Sequence, residues 1–171
     1  MSDPQSSLRL NVGFIIYQTV GYSRDFPFDI PHARLAPDLD LNDLAGGVRV
    51  SRTPQGLLVQ VKMHALAAAE CVRCLTGFSH TLGVDFSELY AFDQRSVTDS
   101  NLILPEDGNI DLEPLLREYM LLDFPIKPLC KPDCKGLCPV CGENQNQTTC
   151  HHEEIAGDER LAGLSSLLDQ E

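Results

Sequence analysis

Two runs of alternating apolar and polar residues, separated by only five residues, constrain the fold of this chain more than any other feature. The first begins at Gly56 and reads GLLVQVKMHALAAAE, and the second reads TGFSHTLGVDFSELY. A period of two is typical of a β-strand that buries one face. The residues on the two predicted inward faces are Val59, Val61, Met63, Ala65, Ala67 and Ala69, and Phe78, His80, Leu82, Val84 and Phe86. Because only CVRCL separates the runs, we expect one long antiparallel hairpin.

Two further segments ahead of the hairpin have strand character. GGVRVSRTPQG predicts a strand that runs into a turn at residues 53–56, where proline and glycine favour a change of direction. LRLNVGFIIYQTVG, near the start of the chain, predicts another strand, which Gly21 closes. The first ninety residues are therefore expected to form an antiparallel β meander.

The second half of the chain begins differently, with a polar, acidic connection at residues 91–109. In the segment IDLEPLLREYMLLDFP that follows, apolar residues recur at helical spacing: Leu112, Leu115, Leu116, Tyr119 and Leu122. Asp111 is the expected N-cap, and Pro114 lies in the first turn, where proline is tolerated. This pattern predicts a helix over residues 111–122.

Near the C-terminus, DERLAGLSSLL predicts a short helix that Asp158 caps and that has leucines on one side. The fold class is therefore expected to be α+β: an antiparallel β meander with a packed helix and a cysteine-rich, zinc-binding C-terminal segment. We expect two parts, a single core domain of sheet and helix at residues 1–128 and a segment of cysteine knuckles with the short helix at residues 129–171.

The stretch CKPDCKGLCPVCG, from Cys130 to Gly142, has three competing explanations: a disulfide framework, a thiol redox centre or a metal site. The N-terminus, MSDPQSSLRLNVG, lacks the basic start and apolar run of a signal peptide, so we expect a cytoplasmic protein. Disulfides are disfavoured in that reducing compartment, and the seven cysteines are an odd number. A thiol redox centre typically has a reactive cysteine at a helix N-terminus, and neither cysteine pair of this stretch precedes a convincing helix.

A structural zinc ion explains the stretch better, because CPVCG forms the tight turn that lets two thiolates reach one ion. The candidate ligands are Cys130, Cys134, Cys138, Cys141 and Cys150. We expect Cys138 and Cys141 to be the surest ligands, with Cys130 and Cys134 completing the site ahead of Cys150. This local set is preferred because ligands a few residues apart close short loops at a small entropic cost.

Cys71 and Cys74 lie where the hairpin turns and have two interpretations. They are either small residues that fill a tight turn or a second knuckle that meets CPVCG across space, as in zinc ribbons. Cys150 is followed by His151 and His152, and seven cysteines with one histidine would fill two four-ligand sites. The sequence leaves the choice between these arrangements open.

The charge of the chain is uneven. Residues 1–75 hold seven Lys or Arg against seven Asp or Glu, whereas residues 76–171 hold six against eighteen. The acidic half is either a solvated surface or a face for a basic partner such as a ribosomal protein. Lys127, Lys131 and Lys135 nevertheless lie beside the cysteines, a setting in which zinc knuckles touch nucleic acid. No Ser/His/Asp order, phosphate loop or HExxH motif occurs, so we expect neither catalysis nor a small-molecule substrate.

The order of these motifs resembles the YceD family, bacterial and plastid proteins associated with accumulation of large-subunit ribosomal RNA. The matching segments run from LRLNVGFIIYQTVGYSRDFPFD through CVRCL and IDLEPLLREYMLLDFPIKPLC to CKGLCPVCGENQN and DERLAGLSSLL. The resemblance implies a non-enzymatic factor that acts on ribosomal RNA or on large-subunit assembly intermediates, with any metal serving as a structural clasp. The alternatives are a thiol-disulfide oxidoreductase and an acidic module that recruits a ribosomal protein.

Overall fold

A computed structural model of the chain describes residues 8–152. Four long strands form one antiparallel sheet in the order β2-β3-β4-β5: β2 is Ser23–Leu35, β3 is Leu39–Arg52, β4 is Gly56–Glu70 and β5 is Gly77–Ala91. A two-stranded sheet pairs β1, Arg9–Asn11, with β6, Asn109–Asp111. The short helix α1, Gly13–Ile16, follows β1, and α2, Glu113–Asp123, follows β6. The predicted antiparallel meander is confirmed.

The predicted hairpin of β4 and β5 is also confirmed, with its predicted faces. It pairs from Gly56 with Ala91 at one end to Glu70 with Gly77 at the other. Val59, Val61 and Met63 are buried on β4, and Leu82, Val84 and Phe86 are buried on β5. The turn that joins the strands holds CVRCL, so that the hairpin carries Cys71 and Cys74 to one end of the sheet.

The prediction of one strand across LRLNVGFIIYQTVG was wrong. Only Arg9–Asn11 is extended, and the chain then turns through α1. Val12 and Ile15 are both fully buried. Residues three apart point to opposite faces of a strand but to one side of a helical turn, so the turn lets both reach the core.

The strand β2 was not predicted, because Pro27 and Pro31 interrupt its pattern. It lies at the edge of the sheet, where a strand tolerates proline because one row of its backbone groups has no strand partner. Its side chains Phe26, Phe28 and Ile30 are half-buried against the core.

The predicted helix begins two residues later than expected. Leu112, not Asp111, is the N-cap residue, although Asp111 Oδ1 still accepts the Glu113 N–H at 3.0 Å. Pro114 lies in the first turn as predicted. Leu122 is 75% exposed, whereas Met120, outside the predicted apolar set, is fully buried. Met120 is buried because it lies one helical turn after the buried Leu116, four residues further along the same face.

Contacts from α2 reach β5, the edge strand next to β4. The Tyr119 ring stacks on Phe86 with 3.9 Å between centroids, and the Tyr119 hydroxyl donates to Glu88 at 2.7 Å. After α2 the chain runs back to the hairpin turn, where the Val72 N–H donates to the Pro128 carbonyl at 3.0 Å. The helix predicted from Asp158 lies outside the described residues. Between residues 8 and 152, no helix has the length and apolar character needed to cross a membrane.

Candidate metal centres

The first group of thiols lies at the tip of the β4–β5 hairpin. Cys71, Cys74, Cys130 and Cys134, here called the hairpin cluster, have sulfur atoms within 4.8 Å of one another. Cys71 Sγ lies 3.7 Å from Cys134 Sγ, and Cys74 Sγ lies 3.6 Å from Cys130 Sγ. Cys71, Cys74 and Cys134 are buried, and Phe78, Leu129 and Leu137 pack around them. The cluster therefore joins the hairpin turn to the segment that follows α2.

Hydrogen bonds fix that segment against the turn. Arg73 supplies two of the contacts: its guanidinium Nη1 donates to the Cys134 carbonyl at 2.9 Å, and its own carbonyl accepts the Leu137 N–H at 3.1 Å. The amide of Asn146 donates to Cys134 Sγ at 3.3 Å, and that of Asn144 donates to Thr76 Oγ1 at 3.2 Å. The bonds of Arg73 and Asn144 join this segment to the hairpin turn, and the bond of Asn146 reaches one sulfur atom of the cluster.

The second group lies further along the chain. Cys138, Cys141, Cys150 and His152, here called the C-terminal cluster, also have ligand atoms within 4.8 Å of one another. Cys141 Sγ and Cys150 Sγ are 3.5 Å apart. Only Cys138 is buried, at 5% exposed, whereas Cys141 and His152 are exposed. This cluster is therefore the more open of the two.

The turns CVRCLT and CPVCGE have the same backbone hydrogen bonds. In the first, Leu75 N–H donates to the Cys71 carbonyl at 2.9 Å, and Cys71 N–H donates to the Thr76 carbonyl at 3.0 Å. In the second, Gly142 N–H donates to the Cys138 carbonyl at 2.9 Å, and Cys138 N–H donates to the Glu143 carbonyl at 2.8 Å. The chain thus builds one knuckle geometry twice.

The two knuckles differ at the residue that follows the second cysteine. Both Leu75, at φ 55°, and Gly142, at φ 76°, are in the left-handed region. Glycine adopts this region at no steric cost, whereas a side chain there costs about 1–2 kcal/mol. Leu75 is 58% exposed, so burial of its side chain offsets little of that strain.

We therefore expect Leu75→Gly to stabilise the protein by about 0.5–1 kcal/mol, the relieved strain exceeding the extra chain entropy that glycine gives the unfolded state. Urea denaturation measures the change. Val72→Gly is the matched control, because Val72 is half exposed in the same turn and does not have positive φ. The control should lose stability, and a loss of stability in both variants would contradict the interpretation.

The pKa values of the thiols show how the clusters divide charge. Burial raises the pKa of Cys71, but backbone hydrogen bonds from Cys130, Cys74 and Arg73 outweigh it and lower the pKa to about 6. Burial, followed by the neighbouring thiols, raises the pKa of Cys130 to about 12. Repulsion between like charges thus opposes ionisation of a second thiol, and a bound cation would relieve that repulsion.

The C-terminal cluster shows the same division. Backbone hydrogen bonds from Cys141 and Val140 lower the pKa of Cys138 to about 7. The side-chain hydrogen bond with Cys141, followed by burial, raises the pKa of Cys150 to about 12. In both clusters the pKa of one cysteine is lowered and that of another is raised, and a metal ion would favour the thiolate form of each ligand.

The five ligands predicted from the sequence lie in both clusters. Cys138, Cys141 and Cys150 are in the C-terminal cluster, whereas Cys130 and Cys134 face Cys71 and Cys74 in the hairpin cluster. The hairpin pair therefore meets CKPDC and not CPVCG. His152 is the second of two consecutive histidines after Cys150, and only the geometry separates it from His151.

Both donor sets suit zinc. Four thiolates in one cluster, and three thiolates with an imidazole in the other, are the soft four-ligand sets that structural zinc takes. In a tetrahedral site with a Zn–S distance of about 2.3 Å, neighbouring sulfur atoms lie about 3.8 Å apart. The closest Sγ–Sγ distances, 3.5–3.7 Å, are near this value. A disulfide would hold its sulfur atoms at about 2.05 Å.

Comparison with known proteins identifies the family. A family model described as "Large ribosomal RNA subunit accumulation protein YceD" matches residues 59–168, a range that includes both clusters. The chain belongs to the YceD family. The resemblance noted in the sequence is thereby confirmed.

Relatives of this YceD protein come from bacteria and plants. An uncharacterized protein of Mycobacterium tuberculosis is 36% identical over 140 residues, which are 78% of this chain and 63% of that relative. The protein YlbN of Bacillus subtilis, also uncharacterized, is 28% identical over 59% of this chain and 60% of its own length. A maize protein named "Large ribosomal RNA subunit accumulation protein YCED homolog 1, chloroplastic" is 36% identical over 42% of this chain and 26% of its own length. The matched part of this chain thus spans under two thirds of each of these relatives, and no solved structure matches the chain.

Proposed function

We propose that this YceD protein is a non-enzymatic factor that supports the accumulation of large-subunit ribosomal RNA. The observation that carries the proposal is the family match over residues 59–168, together with the names of the plant relatives. Its partner is large-subunit ribosomal RNA or an assembly intermediate that contains it, and it acts where that RNA is made and assembled, in the cytoplasm.

Depletion of the protein in the organism that encodes it tests this function. Mature large-subunit RNA should fall relative to small-subunit RNA, with precursor RNA measured in the same samples. Restoring the protein should restore the ratio. An unchanged ratio after depletion would contradict the proposal.

We further propose that each cluster binds one structural zinc ion. Supporting this are the two four-ligand sets, their sulfur spacing and the repeated knuckle geometry. Bound zinc would supply positive charge and no redox chemistry. The hairpin cluster would then clasp the segment from residue 129 onward to the core domain of residues 1–128.

Metal analysis of purified variants checks the two sites separately. The wild-type protein should hold two zinc ions per chain, and Cys71→Ser and Cys138→Ser should each retain about one, because each removes one ligand of a different set. His152→Ala should weaken the second ion, whereas the control His151→Ala should keep both. Two ions retained in both serine variants would contradict the assignment, and so would loss of both ions from either one.

A further inference from the structure

Four cations lie close in sequence to the cysteines of the hairpin cluster. Arg73 lies in the hairpin turn between Cys71 and Cys74. Lys127 precedes Pro128, whose carbonyl bonds the turn, and Lys131 and Lys135 each directly follow a cysteine of the cluster. All four residues are exposed. The fold thus brings four cations from two distant parts of the sequence to one end of the sheet.

Seven of the twelve Lys and Arg side chains among residues 8–152 form no ion pair, and these four cations are among them. Of the other three, Arg24 and Arg52 lie over the aromatic rings of Phe14 and Phe92. Five ion pairs occur among residues 8–152, and they join Arg9 to Asp107, Arg34 to Asp40, Arg49 to Asp25, Lys62 to Asp85 and Arg117 to Asp38. Within the same part of the chain, neither Arg73 nor any of the three lysines forms one. The carboxylates of the neighbouring β2–β3 turn, Asp38 and Asp40, already pair with Arg117 and Arg34.

Acidic residues also lie near this end in the described part of the chain. Glu70 ends β4, Asp133 lies between Lys131 and Lys135, and Glu143 precedes Asn144, which donates to Thr76 of the turn. The acidic connection after β5 lies at the opposite end of the hairpin, where the Ala91 N–H donates to the Leu102 carbonyl. With 15 residues in β4, the two ends are about 45 Å apart at ~3.3 Å per residue. Because the Debye length is about 8 Å at physiological salt, the distant acid does not cancel the local field.

We propose that this cationic end of the sheet, formed by Arg73, Lys127, Lys131 and Lys135, contacts the phosphate backbone of RNA. The choice of RNA rests on the proposed function, and the choice of surface rests on the unpaired cations. Exposed lysines without carboxylate partners can release the counterions of phosphate groups on binding, which is the main source of affinity for nucleic acids. The net charge of -12 is that of the whole chain, and the acidic connection after β5 lies at the end of the sheet away from these cations.

The cations could instead serve only to balance the thiolates of the cluster. Arg73 does touch the cluster, through its hydrogen bond to the Cys134 carbonyl. Among the described residues, no lysine side chain is hydrogen-bonded to a cysteine sulfur atom, and Cys71, Cys74 and Cys134 are buried. The lysines are therefore the residues to vary, with Arg73 left in place to support the fold.

An RNA-binding measurement tests the proposal. The zinc-loaded protein is titrated into a fluorescently labelled transcript of large-subunit ribosomal RNA, and binding is followed by fluorescence anisotropy between 50 and 200 mM salt. The variant is Lys127→Gln, Lys131→Gln and Lys135→Gln combined. The control with the same charge change combines Arg24→Gln, Lys62→Gln and Arg95→Gln, which lie away from the hairpin turn. The lysine variant should bind at least about tenfold more weakly, with a salt slope reduced by about 2–3, while the control stays near wild type.

Several results would overturn the proposal. These are no binding by the wild-type protein at 50 mM salt, an equal loss in variant and control, or loss of zinc from the lysine variant, which would assign the lysines to the thiolates. Crosslinking in cells gives a further test. If the crosslinks lost in the lysine variant contain protein but no RNA, the surface binds an acidic protein instead. If RNA binding fails while depletion still lowers large-subunit RNA, only this surface is wrong; unchanged RNA on depletion refutes the proposed function itself.

Discussion

Chelation of the zinc-loaded protein is expected to release two ions in two separate phases, the ion of the C-terminal cluster first. A chelator displaces protein ligands most readily where it can reach them. Cys141 and His152 are exposed, whereas Cys71 is fully buried and Cys134 is 2% exposed. The hairpin cluster must open before its ion can leave.

A colour-forming chelator follows the release, and the variants assign the phases. Cys138→Ser should lack the fast phase, and Cys71→Ser should lack the slow one. Release of both ions in one phase would contradict the predicted difference in access. A fast phase that persists in Cys138→Ser would show that the fast ion does not come from the C-terminal cluster.

Loss of the second ion should release the clasp without unfolding the sheet. Apparent binding free energies of structural zinc are about 10–16 kcal/mol, comparable with the whole stability of a domain. Residues 129–150 have few buried apolar side chains to replace that contribution, whereas the sheet has its own core around Val48, Leu57 and Leu82. Hydrogen exchange should therefore increase at the amides of Val72 and Leu137 and remain slow in the middle of β4.

Gly46→Ala is expected to destabilise the sheet by about 3 kcal/mol or more. Gly46 pairs with Met63 beside an irregularity in the β3–β4 ladder, and its φ is 147°. An added Cβ would overlap the Lys62 carbonyl oxygen and lie 2.7 Å from Met63 Cα. Because both are backbone atoms of a central strand, the clash cannot be relieved by rotating a side chain.

Gly47→Ala is the control for that substitution. At Gly47 a Cβ would have its nearest neighbour, the Phe26 carbonyl oxygen, at 3.7 Å, an ordinary contact. Urea denaturation should therefore give a large shift in midpoint for Gly46→Ala and a small one for Gly47→Ala. Equal shifts would show that the close approach of β3 and β4 is not what requires glycine.

The sequence predicted the β4–β5 hairpin well because its buried face alternates without interruption through Val59, Val61 and Met63. It failed where two local patterns compete. Val12 and Ile15 are compatible with a strand or with a helical turn, and only their shared burial against the core decides between them. Strand β2 was hidden because its prolines are acceptable only at an edge, and a sequence does not show which strand is at the edge.

The candidate metal ligands can be selected from the sequence by residue type, but which of them lie together depends on tertiary structure. The preference for a local set counted only the entropy of closing loops in an unfolded chain. In the folded protein the sheet already fixes Cys71 and Cys74, and the contacts of α2 with β5 bring the following segment back to them. Folding of the core therefore offsets the entropy cost of bringing Cys130 and Cys134 to the hairpin turn. The spacing of cysteines in the sequence does not show this effect.

A zinc ion in the hairpin cluster would close the chain into a ring, since Cys74 and Cys130 are 56 residues apart in sequence and only 3.6 Å apart at their sulfur atoms. The ring contains β5, the acidic connection and α2. A protease that cuts the exposed connection between Asp93 and Asp99 would leave two fragments cross-linked by the ion. Such a nick would be visible on a denaturing gel with chelator, while the native protein kept its size.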